Sequence, residues 1–483
     1  MKRLLIVGLL LIATASTAWS VEVSTPDGRL ALGVDAGNSD GGVEVTIGGR
    51  AGAFGNENTL TAGPGGLRLT NPPTAGAFSL SRDGFRPELD ESPYGPPIAT
   101  ATIGTGGITE AVDEVGRVTG LVWPGPGWYD QVNFLQVSRG APNRGAPDNG
   151  GSFGGIGSEW LTPADGWLPV GQSWRSDTGE TLVTVLAKDG ATVTITDVVE
   201  PEHDLVARNF AFAGVAEEPF AYYANMNPTT ARVPRVPSVT DAALDDVSDF
   251  ATAYDAGRSL MLHFRPYRVD PVPPTRIVTS HRGASDLADV LDDTFGPGVY
   301  VAIGGAGPAT GHQAGIDAAG LARGEAEGTA LLDPYYDLAD GRLSGADLAL
   351  GKTAGALAGL PADEDGSFTV YIAAADTATR ASAIVADARA RGFAAIRDAS
   401  ESWWASWLAP ARLPATSDTR MLAVARQALK LIRTATDRRT GAIVANATPQ
   451  TPYRQDWVRD GAFFNYALLL AGYEELAKRH AEF

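Results

Sequence analysis

The stretch Tyr453-Arg454-Gln455-Asp456-Trp457-Val458-Arg459-Asp460 sets two aromatic rings beside an Arg-Asp pair, and Gly461-Ala462-Phe463-Phe464 follows it. These residue types suit a sugar. A flat ring stacks on a pyranose face, and a guanidinium and a carboxylate hold hydroxyls through charge-assisted hydrogen bonds. The same residues also have a purely structural reading, in which Asp460 caps the helix that follows and Trp457 belongs to a core. Eight residues alone leave both readings open.

Two helices must position this stretch. Upstream, from about Ser417 to Thr436, the apolar residues Met421, Leu422, Val424, Ala425, Ala428, Leu429, Leu431, Ile432 and Ala435 recur at helical spacing. Ser417 or Thr416 can cap the start of that helix, and Gly441 can end the turn after it. Next come Gly441-Ala442-Ile443-Val444-Ala445-Asn446-Ala447-Thr448-Pro449, the Trp-Val-Arg-Asp box, and a second apolar helix ending near Gly472. In this order and spacing the segment resembles the opening of the catalytic domain of glycoside hydrolase family 15, the glucoamylases and glucodextranases. The resemblance implies the first helices of an (α/α)6 barrel. It further implies that Arg459 and Asp460 hold the non-reducing-end glucose of an α-glucan, and that Trp457 and Tyr453 line that site.

Met1 to about Ser20 reads as a secretory signal: Lys2 and Arg3 form a charged start, Leu4 to Ala15 an apolar run, and Ala18-Trp19-Ser20 a small-x-small cleavage site. The run is short for a membrane span, and the alternative is an uncleaved anchor. Nothing later in the chain is apolar enough to cross a bilayer, so the expected protein is secreted or periplasmic, with no membrane span after signal cleavage. The chain has no cysteine, so an exported form would rest on core burial and not on disulfides. At 483 residues it can hold more than one domain. The net charge is −19, and removing the cations Lys2 and Arg3 makes it −21. That balance offers no basic footprint for nucleic acid and fits a neutral glucan partner.

From Val21 to about Thr377 short strand-like runs alternate with Gly, Pro, Asn and Asp. Val43 to Ile47, Thr181 to Leu186 and Ala191 to Ile195 alternate strictly, and Asp189-Gly190 between the last two is a hairpin turn signal. Further runs are Leu205–Phe212, Phe220–Asn225, Ser259–Phe264, Gly298–Ile303 and Phe368–Ala373. Many strands without interleaved helices predict a sandwich of antiparallel sheets. Segments such as Trp128 to Leu135, Gly151 to Gly155 and Asp333 to Leu343 are similar to the large β-sandwich that precedes the barrel in bacterial and archaeal members of the family. The expected architecture is multidomain: a signal peptide (1–20), a large antiparallel β-sandwich (21–377), linker helices (378–415) and the start of an (α/α)6 barrel (416–483).

Other residue groups invite functional readings. Trp403, Trp404 and Trp407 lie at helical spacing and are read as a packing seam rather than a sugar platform. Trp123, Trp128, Trp160, Trp167 and Trp174 are read as anchors of core and loops, with glycan stacking as the alternative. Glu200, Glu202, His203 and Asp204 crowd together as metal ligands would, but a Pro-containing turn with solvated acids explains them better. Two acidic segments, Asp241 to Asp249 and Asp286 to Asp293, are read as solvated faces. Gly304-Gly305-Ala306-Gly307 lacks the dinucleotide-binding pattern. No cofactor and no metal ligand is assigned, and a structural calcium site is left open.

Inversion at a glycosidic bond needs an acid and a base roughly 6.5–9.5 Å apart. In the resembled family both are glutamates on later barrel helices, and Glu474, Glu475 and Glu482 match neither motif. No catalytic residue is therefore assigned. The expected parent activity is exo-cleavage of α-glucosidic bonds with inversion, in a chain that is inactive alone. The rival expectations are a non-catalytic glycan-binding or scaffold protein and a related disaccharide phosphorylase.

Overall fold

A computed structural model describes residues 99–127, 150–226, 228, 251–267, 286–316, 333–350, 353–447 and 455–483, together with the backbone of eight strands between Ser20 and Leu89. The signal reading for residues 1–19, the Trp128 to Leu135 segment, the acidic run Asp241 to Asp249 and Tyr453 lie outside the described residues. The chain divides into two compact units, one of Met1–Pro97 with Gln136–Gly145, the other of Ile98–Leu135 with Ala146–Phe483.

In the first unit the strands Ser20–Ser24, Leu30–Asp35, Val43–Ile47 and Arg50–Phe54 form an antiparallel meander. A second meander joins Thr59–Gly63, Gly66–Thr70, Phe78–Ser79 and Glu88–Leu89.

The second unit is built on two antiparallel sheets. The larger has nine strands, in the order Leu168–Trp174, Leu182–Lys188, Ala191–Val199, Leu205–Ala213, Phe368–Ala375, Gly298–Gly305, Leu260–Pro266, Ala251–Asp255 and Leu348–Leu350. The other has eight strands. Seven run in the order Gly311–Ile316, Thr353–Leu360, Phe220–Met226, Ser152–Ile156, Val118–Val122, Thr109–Val112 and Ala101–Gly104, and Glu159–Trp160 pairs with Ser152–Ile156.

Alternation along the central strands explains the layering. On Phe368–Ala375, Val370, Ile372 and Ala374 enter the core between the sheets, while Tyr371, Ala373 and Ala375 enter a second core. Val299, Val301 and Ile303 alternate in the same way with Tyr300 and Ala302. Successive side chains of a strand point to opposite faces, so the centre of this sheet is buried on both sides. Helices cover its outer face: Leu287–Phe295, Ala378–Arg391 and Phe393–Leu408. Their small residues Ala288, Ala378, Ala381 and Ala388 let the helices approach the strands closely. Arg389 clamps the second of these helices by donating to the carbonyls of Gly305 at 2.7 Å, Arg258 at 2.7 Å and Ser259 at 2.9 Å.

The strand readings hold with ends shifted by at most two residues, except that the run read as Ala191 to Ile195 continues to Val199. Asp189 and Gly190 both take positive φ (49° and 87°), the geometry a two-residue hairpin of this hand requires. The expectation of no helix among the strands is corrected by Leu287–Phe295. Its buried stripe is Leu287, Ala288, Leu291 and Phe295, and its other face carries Asp289, Asp292 and Asp293. Nor is that acidic face merely solvated, because Asp292 accepts from Ala378 N at 2.6 Å and Thr379 N at 2.9 Å, capping the next helix. Trp123, Trp160 and Trp167 are buried, as the anchoring reading expects.

One charged cluster sits between the sheets. Arg208 faces the shared core and donates to Asp197 at 2.7 and 3.3 Å, Ser152 O at 3.3 Å, Tyr222 Oη at 3.2 Å and Gly116 O. Glu110, from the opposite sheet, comes within 3.5 Å of the same guanidinium, yet neither of its oxygens has a hydrogen-bond partner among the described residues. Burial first, and then the charge of Asp197, push the Glu110 carboxyl well above its ordinary range. One guanidinium thus faces two buried carboxyls; it hydrogen-bonds Asp197, while burial disfavours the charged form of Glu110.

Replacing Arg208 with Met leaves Asp197 buried and unpaired, and is expected to cost about 3–5 kcal/mol, read from the urea midpoint. Glu110→Gln keeps the shape and removes the titration. A raised acid contributes stability that is lost as pH rises, so the variant's midpoint is expected to exceed the wild-type value in alkali, with a gain that shrinks as pH falls.

Candidate functional site at the Trp-Val-Arg-Asp helix

The helix upstream of the site spans Thr419–Thr434. Asp418 caps it, accepting from Arg420 N at 2.9 Å and Met421 N at 3.2 Å, in place of the Ser417 or Thr416 expected from sequence. An Asp at that position also meets the positive end of the helix dipole, which a hydroxyl does less well. The helix runs beside the edge strand Ala101–Gly104, with Leu429, Lys430 and Thr434 on its buried face.

The turn after the helix grips the sandwich. Arg438 N donates to Gly106 O at 2.9 Å, and Arg438 Nη2 meets Asp204 Oδ1 at 2.8 Å. Asp204 also accepts from Ile108 N at 3.0 Å and from Trp123 Nε1 at 2.9 Å. Gly106 sits at φ +86°, and a Cβ there would lie 2.0 Å from Thr436 O, so only glycine allows the approach. Asp204 thereby leaves the group of crowded acids near Glu200. Glu200 instead accepts from His203 N at 2.6 Å and contacts Arg391 at 3.3 Å.

From the turn the chain closes a β-bridge between Thr436 and Ile443, with Gly441 at φ +85° completing it. Ala445 N donates to Gln455 O at 3.0 Å and Ile443 N to Asp456 Oδ2 at 3.1 Å, which aims the chain into the helix Val458–Leu470. That helix packs on Glu474–Glu482 through Leu468, Ala477 and the partly buried Phe464 and Leu476.

Trp457 is the N-cap residue, with no side-chain capping bond, and is 42% exposed. Both structural alternatives are thus corrected: Trp457 is not core, and Asp460 lies inside the first turn and not at the cap. Arg459 is exposed and Asp460 half-buried, and among the described residues neither takes a hydrogen bond or ion pair. Three of the four expected site residues therefore share one helix start, where a carboxylate also benefits from the dipole. The fourth, Tyr453, is outside the described residues.

Sequence reasoning missed the group that holds this start in place. Asp456 Oδ2 meets His480 Nε2 at 2.8 Å, and His480 Nδ1 meets Asn465 Oδ1 at 2.8 Å, so one imidazole ties the loop to both helices. His480 is buried, and a Cβ on Gly461 would stand 2.7 Å from its ring. The glycine after the Trp-Val-Arg-Asp box makes room for that ring. The only signal in the sequence was Asp456 directly before the box, since a partner 24 positions away carries no local pattern.

The tryptophan seam is present. Trp404 is fully buried, and Trp407 stacks on Tyr473 with ring centres 4.5 Å apart. The outward faces of the two flanking helices are apolar: Met421, Val424 and Leu431 on one, Phe463, Tyr466 and Leu470 on the other, all exposed.

By sequence the chain matches no protein-family model and no curated protein. By structure it is similar to a bacterial glucoamylase solved in complex with acarbose, with 8% identity and a TM-score of 0.51 over 80% of this chain and 49% of that one. It therefore spans about half the length of that glucoamylase. A protein assigned as a kojibiose phosphorylase from the human microbiome aligns at 8% identity and TM-score 0.48, covering 88% of this chain and 49% of that one. A family GH92 α-mannosidase from Bacteroides thetaiotaomicron aligns at 13% identity and TM-score 0.35, covering 69% and 37%. The likeness to the glucoamylase is one of fold: a β-sandwich followed by helices, as the sequence reading expected.

Asp456→Ala removes the acceptor shared by Ile443 N and His480. It is expected to destabilise the helical segment by about 1–3 kcal/mol, seen as faster hydrogen exchange in residues 455–483 with the sandwich strands unchanged. Gly461→Ala is expected to do the same by displacing the His480 ring.

Proposed function

We propose that this chain is the sandwich and first helices of a carbohydrate-active enzyme of the glycoside hydrolase kind, acting on α-glucans from the non-reducing end. The observation that carries the reading is the helix start at Trp457. It presents an exposed ring, an exposed guanidinium and a carboxylate on one turn, placed after a sandwich of glucoamylase-like fold. In this reading Trp457 stacks on the sugar ring, while Arg459 and Asp460 hold hydroxyls and fix the sugar's orientation.

Hydrolysis needs a carboxyl pair as well. The reading assigns that pair to further barrel helices, packed on the exposed stripes of Met421, Val424 and Leu431 and of Phe463, Tyr466 and Leu470. Apolar stripes on the outward faces of two adjacent helices are what members of a larger helical array present to their neighbours. No metal enters the proposal. Export to the cell exterior or periplasm remains part of it, resting on the charged and apolar start of the chain.

Calorimetric titration with maltooligosaccharides tests the sugar site. Binding is expected, and Trp457→Ala and Asp460→Asn are each expected to weaken it by about tenfold or more, the loss of roughly 1.4 kcal/mol that one stacked ring or charge-assisted bond supplies. Absence of binding to any α-glucan overturns the site. In a form carrying the additional helices, release of β-glucose supports hydrolysis, while turnover that depends on phosphate transfers the assignment to a phosphorylase.

A further inference from the structure

The contact between the helix Thr419–Thr434 and the edge strand Ala101–Gly104 contains a carboxyl that neither the fold core nor the sugar site uses. Glu180 is buried. Its Oε2 accepts from Gly104 N at 3.2 Å, and its Oε1 lies 3.2 Å from Thr434 Oγ1. The same Thr434 hydroxyl lies 2.9 Å from Gly104 O. A hydroxyl owns a single hydrogen, and here it faces two oxygens that can only accept if Glu180 is ionised. All three groups are satisfied when the carboxyl supplies the second hydrogen: Glu180 donates to Thr434, Thr434 donates to the Gly104 carbonyl, and Gly104 N–H returns to Glu180.

The nearby cation Lys430 acts on Glu180 through its charge, and its hydrogen bond goes to another group. Lys430 Nζ donates to Gly179 O at 2.5 Å and lies over the Trp174 ring at 5.1 Å. We propose that the protonated carboxyl of Glu180 is a pH latch, holding the first helix of the helical segment on the sandwich edge and loosening it as the carboxyl ionises.

Burial is the main cause that pushes Glu180 up to about 8, against 4.5 for the free side chain. The attached form keeps its proton over an interval in which the detached form has lost it. The ratio of attached to detached helix therefore falls by up to about tenfold per pH unit between 4.5 and 8, then levels off.

The charges facing the site come from three elements. Lys430 and Arg433 lie on the helix. Asp177, paired with Arg426 at 3.6 Å, and Arg175 lie in the loop before Glu180, and Glu401, 3.6 Å from Arg175, lies on the linker helix. Burial disfavours the Lys430 ammonium, so its deprotonation acts with opposite sign. Burial likewise brings Arg433 down to about 10, outside the Glu180 interval.

Hydrogen exchange of the full chain between about pH 5 and 9, divided by the intrinsic exchange rate, tests the latch. In the wild type the opening of peptides covering 419–434 is expected to rise at least tenfold between about pH 6 and 8, and to flatten above. Glu180→Gln reproduces the protonated geometry, with an amide that donates to Thr434 and accepts from Gly104, and its opening is expected to change less than about twofold. Peptides of the strand Leu205–Ala213 serve as the internal control and are expected to show no trend in either protein. A flat wild-type profile, or the same slope in both proteins, overturns the proposal. Carbon NMR with labelled glutamate carboxyls, the Glu180 signal assigned by its absence in Glu180→Gln, gives a second reading. Titration of that carboxyl above about pH 7 supports the latch, and its titration below about pH 6 overturns it.

Discussion

One carboxylate, that of Asp204, ties the turn after residue 434 to the sandwich. It accepts from a backbone N–H at Ile108, an indole N–H at Trp123 and a guanidinium at Arg438, three donors from three separate parts of the chain. A buried carboxylate is costly unless its lone pairs are filled, and this one is filled by groups that must converge for the cost to be met. The condition fixes the turn at Thr436–Arg438 against the glycine-rich edge Gly104–Gly107. It is transmitted to the Trp457 helix through the Thr436–Ile443 bridge and the Ile443–Asp456 bond.

The polar chemistry of the chain separates into two populations by what faces each group. Arg208 with Asp197 and Glu110, Glu180 with Thr434, and Asp456 with His480 and Asn465 are turned inward and partnered mainly by the protein. Each joins elements distant in sequence, and each would be costly if half-satisfied. Trp457 and Arg459 are exposed and Asp460 is half-buried, at a helix start that no side chain caps. A helix start without a side-chain cap, carrying an exposed tryptophan, is poor local design for stability alone. That contrast, and not the four-letter box by itself, makes these three residues the candidates for binding.

Much of the fold was legible in the sequence because its strands obey the period that burial on a pleated sheet imposes. The Leu182–Lys188 and Ala191–Val199 hairpin could be read from alternation and from Asp189-Gly190 together. The helix Leu287–Phe295 was not, because four acidic residues within eight positions read as a solvated face, helical or loop, while its buried stripe was only four residues. At the site, the residues that face outward were legible because their types are unusual together. The residues that hold them were not: His480 reaches Asp456 across 24 positions, and Glu180 reaches Thr434 across 254. Local pattern encodes which face of an element is apolar. It does not encode which distant polar group will close a hydrogen bond.

The two flanking helices show why those polar closures matter. A surface helix ordinarily docks by burying its apolar stripe, and tertiary packing of that stripe supplies most of its stability. Here Met421, Val424 and Leu431, and likewise Phe463, Tyr466 and Leu470, face away from the packed side. The inward faces are held by a modest apolar contact around Leu429, Ile443, Leu468 and Ala477, reinforced by Thr434, Arg438, Asp456 and His480. Because the clamps are polar and directional, they fix the helices in position without using the outer stripes. The segment can therefore stay ordered against the sandwich while its outer apolar faces remain exposed.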